Sequence, residues 1–139
     1  MASPAIGTGT GNIQTAAGST NAESVTITTP TDAVTNDLLI AYVQTAVAKT
    51  VTSTGWTSIA ASTASSGNHE VEAFYRYHDG SSGTYAFAWT GQGNTPCMGA
   101  MVRVTGAATS SPIDVSAVKN DNGFTTSQVA PSVTTTVAD

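Results

Sequence analysis

Charge is what this chain most lacks. Charged residues fill 9% of 139 positions, against about 25% in an ordinary globular domain. The surface must therefore be solvated mainly by hydroxyls, amides and backbone, and threonine and serine supply more than a quarter of the residues. Lys49, Arg76, Arg103 and Lys119 are the only cations, set against nine carboxylates for a net charge of −5. So few cations cannot neutralise a run of phosphates while the carboxylates repel it, which argues against nucleic-acid binding.

Cysteine is nearly missing too. Cys97 stands alone, so the chain cannot form an internal disulfide, and the residue is expected to be a small buried hydrophobe. No apolar run is long enough to cross a bilayer. Met1-Ala-Ser-Pro-Ala-Ile-Gly7 has neither a basic n-region nor an apolar h-region, so no secretory signal is read there. An extracellular-looking surface without an export signal fits a virion component, made in the host cytoplasm and released by lysis. A helical pattern is also lacking: no window sustains an i, i+3, i+4 apolar stripe, and the β-branched content works against helix.

What is present reads as strands. Apolar residues reach 40%, enough for a core, and the length suits one domain. Residues 1–21, with Gly7, Gly9, Gly11 and Gly18, show no hydrophobic period and are expected to form an extended arm, either frayed or lying on a neighbouring subunit. Residues 22–139 are expected to form the folded domain. Ser24-Val-Thr-Ile-Thr-Thr29 alternates, and Asp37-Leu-Leu-Ile-Ala-Tyr-Val43 suits a central strand covered on both faces. Gly55-Trp-Thr-Ser-Ile59 is a short strand.

In residues 70–77, Val71, Ala73, Tyr75 and Tyr77 share one face and Glu70, Glu72, Phe74 and Arg76 the other. Asp79-Gly-Ser-Ser-Gly83 is a turn signal leading to residues 84–90, where Tyr85, Phe87 and Trp89 share a face; the two segments are expected to pair as a hairpin. Residues 97–105 form a further strand, in which Gly99 and Ala100 leave room for a large neighbour such as Trp56 or Trp89. Residues 114–118 and 132–137 are the last candidates. About eight strands with frequent turns predict an all-β fold, a two-sheet antiparallel β-sandwich of jelly-roll type.

Candidate chemistry is thin. His78 and Asp79 with Ser81 and Ser82 resemble parts of a triad, but neighbours on a strand face opposite ways and no Gly-x-Ser-x-Gly elbow is present. His69 and His78 are placed on opposite sides, as solvated strand-end residues. Glu70 and Glu72 share a face at a spacing that suits paired carboxylates, yet with Arg76 beside them a charged solvent face is the plainer reading. Asn120-Asp-Asn-Gly123 and the Asp32/Asp37 stretch lack the full calcium-loop pattern. Neither a cofactor nor a metal site is expected, and the chain is read as non-enzymatic. Trp56, Trp89, Tyr75, Tyr77 and Tyr85 either stack a sugar or fill the core, the core being the stronger reading for the tryptophans.

Several short segments carry a resemblance. They are Asn36-Asp-Leu-Leu-Ile-Ala-Tyr-Val43, Gly55-Trp-Thr57, Phe74-Tyr-Arg-Tyr77 and Tyr85-Ala-Phe-Ala-Trp-Thr90. Val102-Arg-Val-Thr-Gly106, Pro112-Ile-Asp114 and Pro131-Ser-Val-Thr-Thr-Thr136 complete the set. Together they resemble a family of β-sandwich domains of bacteriophage structural proteins. In longer members a strand like Leu38-Leu-Ile-Ala41 follows the last segment. Here Asp139 comes first, which fits a compact version or a strand supplied by a neighbour.

The resemblance implies a head-decoration, head-fibre or tail-fibre role at the virion surface and carries no catalytic residues. The expected function is a capsid decoration or cement protein bound to the major capsid protein or other virion subunits. Homo-oligomerisation, as a trimer, is part of that expectation. The alternatives are a tail-fibre or appendage module and a carbohydrate-binding or adhesin domain. Candidate contact residues are Ile6 and Ile13 on the arm, Tyr75 and Tyr77 on the alternating strand, and Gln92 and Asn94 in a loop.

Overall fold

The computed structural model describes residues 4–9, 11–18, 22–63, 69–91, 96–117 and 132–134. These contain eight strands and no helix: β1 (Ala5–Ile6), β2 (Ile13–Gly18), β3 (Ser24–Thr28), β4 (Leu38–Thr45), β5 (Thr57–Thr63), β6 (Glu70–Tyr77), β7 (Thr84–Ala88) and β8 (Cys97–Thr105). All pairings are antiparallel. One sheet has six strands in the order β1-β8-β4-β6-β5, with β2 following β1 along the same edge of β8. The other sheet is the pair β3-β7, extended by a bridge between Thr52 and Ala88. The architecture is the expected two-sheet β-sandwich, with unequal layers.

Period-two alternation decides what lies between the sheets. In β3, Val25 and Ile27 are buried and their neighbours exposed; in β4, Leu39, Ala41 and Val43 point inward. Phe74 from β6, Met101 from β8, and Phe87 and Trp89 from β7 and its end complete the core with Val51. Phe74 and Phe87 meet across the layers at 5.4 Å between centroids, and Trp56 lies 5.1 Å from Phe87. Each fully buried side chain of this size contributes about 1.5–3 kcal/mol. Gly99 admits Ile27, whose Cδ1 would sit 2.6 Å from a Cβ there. The large neighbour at Gly99 is thus an isoleucine from the opposite layer, not a tryptophan, while Ala100 lies on the other face, opposite Tyr42.

A polar clasp joins the N-terminal strands to this frame. Gly7 N–H donates to the Arg103 carbonyl, and Arg103 N–H to that of Asn12, bracketing a short excursion between β1 and β2. Asn12 is buried, and its side-chain amide donates to the Gly9 carbonyl at 2.8 Å. The Arg103 side chain pairs with Asp37 at 2.6 Å, and Asp37 also accepts the Val34 N–H at 2.8 Å. Of the stretch expected as an arm, the described strands β1 and β2 lie on β8 of the same chain, as part of its sheet.

Other expectations change. β6 and β7 do not form a hairpin, because β6 is flanked on both edges by β4 and β5 within one sheet. The turn at residues 79–83 instead crosses between layers. Gly80 carries it at φ +87°, where an added Cβ would meet Thr35 Oγ1 at 2.4 Å. β4 is central, and its outer face is covered at Leu38 and half-covered at Ile40 and Gln44, but Tyr42 is 43% exposed there. The Glu70–Glu72–Arg76 face turns inward, since β6 must present Phe74 to the core and the register takes its even-numbered neighbours along. Residues 114–117 and 132–134 run without regular strand structure, and the rest of those two candidates lies outside the described residues.

Candidate interaction surface

Residues opposed in an antiparallel ladder project from the same face, so the registers of the six-stranded sheet define its outer side. One row across the strands is Ile6, Val104, Leu38 and Tyr77, and the next is Ile13, Val102, Ile40 and Tyr75. The third is Thr15, Ala100, Tyr42 and Ala73, and the fourth Ala17, Met98, Gln44 and Val71. Apart from the polar Thr15 and Gln44, the two-sided tyrosines and Met98, these rows are aliphatic; β5 extends the second with Thr57 and the third with Ala60, and they contain no charged residue. Much of this surface is open: Ile6 is 60% exposed, Ile13 57% and Met98 53%. Soluble antiparallel sheets usually solvate an uncovered face with polar side chains, and contiguous open apolar surface marks an interaction site.

At one end the segment after β8 folds back over the sheet. Tyr77 donates its hydroxyl to the Ala108 carbonyl, and Ser116 donates to that of Ile59 at 3.2 Å. Desolvation, with neighbouring Tyr75, raises the Tyr77 phenol above its usual value of 10.0. Leu38 is buried at this end.

Four of the residues picked from the sequence therefore meet on one face. Ile6 and Ile13 reach the tyrosine side because β1 and β2 both pair with β8, whose other edge pairs with β4. Gln92 and Asn94 lie outside the described residues. Tyr42 and Met98 are the additions. Their signal was even-numbered parity within β4 and β8, hidden in β4 because the run is apolar on both faces.

The remaining candidates are placed elsewhere. Glu72 is buried and accepts the Val51 N–H at 3.2 Å and the Ser58 hydroxyl at 3.1 Å. Burial pushes its carboxyl above the usual value even so. Glu70 is buried beside it in the alternation, so the pair lines the sandwich interior and not a cleft. His78 is buried rather than solvated, whereas His69 is exposed. Asp79 takes hydrogen bonds from the Ser81 hydroxyl and N–H and pairs with Arg76 at 2.9 Å, which holds its carboxyl down to about 2. Ser81 is thus engaged with the carboxylate.

Cys97 is buried, and desolvation raises its thiol. Arg76 stacks 4.6 Å from the Tyr85 centroid and 5.9 Å from that of Trp56, closing one end of the core. Trp56, Trp89 and Tyr85 belong to this inner cluster, Tyr75 and Tyr77 to the outer face, so the five aromatics do not form one stacking platform. Among the described residues no group of three or more His, Cys, Asp or Glu is placed to hold a metal. Asn120–Gly123 lies outside them. No family model matches this chain, and neither a curated protein nor a solved structure matches it.

Proposed function

We propose that this protein is a structural component of a virus particle, a capsid decoration or cement protein that acts by burying surface in an assembly, without catalysis. The observation that carries this reading is the open, charge-free outer face of the six-stranded sheet, with Ile6, Ile13, Tyr42 and Met98 all exposed on it. Desolvating such a face removes apolar area from water and strands no ion, and charged residues are depleted at interface cores for that reason. A hydroxyl-coated, weakly charged remainder suits a molecule held in place by neighbours. In a lattice, many individually weak contacts add through multivalency.

The likeness of its segments to phage β-sandwich domains supports the particle in question being a virion, with the protein on the outer surface. The test is to mix the purified chain with capsids stripped of their decoration protein and follow co-sedimentation and resistance of the particles to heat. Saturable binding that raises the disruption temperature is the expected result. A chain that ignores capsids and binds glycans as a free protein would point to the adhesin reading instead.

A further inference from the structure

We infer that the outer face of the six-stranded sheet is a self-association surface, and that its occupant is a second copy of this chain packed face to face. The inference starts from the reading of this face as buried in an assembly and names what covers it.

The first argument is charge. Every copy carries a net charge of −5, so two copies repel wherever carboxylates approach. None of the described carboxylates lies in the four rows of this face. Apposing two outer faces keeps the carboxylates of the strands apart, and a partner bringing a basic patch would find none in the four rows to pair with.

The second argument is shape. A two-fold interface needs one patch that is complementary to itself. Tyr42 projects from the third row with Ala100 directly opposite on β8 and Ala73 directly opposite on β6. A large, open side chain thus stands between two shallow positions on the same face. A second copy rotated by half a turn brings its own tyrosine over such a hollow, in the manner of two sheets packed about 10 Å apart.

The third argument is area. With the first row partly covered by the segment after β8, four strands at ~4.8 Å and three open rows at ~6.8 Å give a face on the order of 400 Å² in projection. That is about half of the ~800 Å² that each partner contributes to a standard interface, which places this one at the small end. An interface of that size, without ion pairs, is expected to be weak, with dissociation in the micromolar range.

The test is sedimentation equilibrium of the full chain from about 1 to about 100 µM, repeated with Tyr42→Lys and Met98→Lys. A concentration-dependent dimer, weakened about tenfold or more by either lysine with the circular dichroism unchanged, is the expected result. Hydroxyl-radical labelling of the unmodified chain is the second measurement, with Tyr42 and Met98 becoming several-fold less reactive at the higher concentration. A chain that stays monomeric throughout, or a dimer that both lysine variants leave intact, overturns the inference. Capsid binding by the same proteins is read separately. A monomer that docks on capsids through Tyr42 overturns self-association while sparing the functional reading, and a dimer indifferent to capsids does the reverse.

Discussion

The inner and outer faces of the six-stranded sheet differ in a direction opposite to the usual one. The inner face carries Glu70, Glu72, Arg76 and Arg103 alongside Leu39, Val43, Phe74 and Met101, yet its carboxylates are buried. The outer face carries no charge, yet Ile6, Ile13, Tyr42 and Met98 are open to solvent. The difference teaches that sidedness here follows what can be packed and paired, not polarity alone. The inner charges sit toward the ends of the strands, where each meets a partner: Arg103 has Asp37, Arg76 has Asp79 and two aromatic rings, and Glu72 has the Val51 N–H and the Ser58 hydroxyl. The middle of that face is apolar and locks onto β3 and β7. Among the described residues, the outer face meets only the segment after β8, at one end, and no second sheet.

Three substitutions probe this contrast. Phe87 is fully buried and touches both Phe74 and Trp56. Phe87→Ala is expected to cost about 3–5 kcal/mol in urea denaturation; a loss under about 1 kcal/mol would mean that the two layers do not share a core.

Glu72 gives an intermediate, pH-dependent effect. Its folded carboxyl lies above the usual 4.5, so the folded state holds its proton more tightly. The associated stability is present below that value and is lost as pH rises through the folded value. Glu72→Gln should abolish this loss, so the melting temperature of the variant should fall less than that of the parent between about pH 4 and pH 7. Asp79 has the opposite sign: its contribution is present above 3.8 and disappears as pH falls through about 2, so it does not interfere in that window. Parallel curves for the two proteins would show Glu72 to be solvated.

The smallest effect is expected on the outer face. Met98→Lys should change the stability of the monomer by no more than about 0.5 kcal/mol, measured at a concentration where association is negligible. A large loss would mean that this face is covered within the chain.

Much of the architecture was legible before any coordinates. Alternation placed β3, β4, β6, β7 and β8 close to their observed limits and divided β6 and β8 into the right pairs of faces. The Asp79–Gly83 turn was legible from its residues, because Asp79 can accept from Ser81 and Gly80 tolerates a positive φ. The partner of each strand was not legible. Aromatic faces on β6 and β7 suggest a hairpin equally well when the rings meet across layers, as Phe74 and Phe87 do. β1 and β2 escaped notice because Gly-, Thr- and Ala-rich segments carry a weak period, and their pairing depends on the free edge of β8. The candidate surface was half visible: Ile6, Ile13, Tyr75 and Tyr77 could be chosen as contacts, but nothing local shows that residues so far apart share one face.

The sequence by itself determined the class of molecule: all-β, weakly charged, without an internal disulfide, and split into short strands whose alternate residues must part to opposite sides. Local periodicity and turn chemistry suffice for that. Only the tertiary structure decided which side of each strand faces inward. That choice depends on β8 pairing with β4 and with β1 and β2, and on Ile27 closing over Gly99 from the opposite layer. These long-range contacts bury Asp37, Glu70 and Glu72 and leave Ile6, Ile13, Tyr42 and Met98 exposed on the uncharged rows.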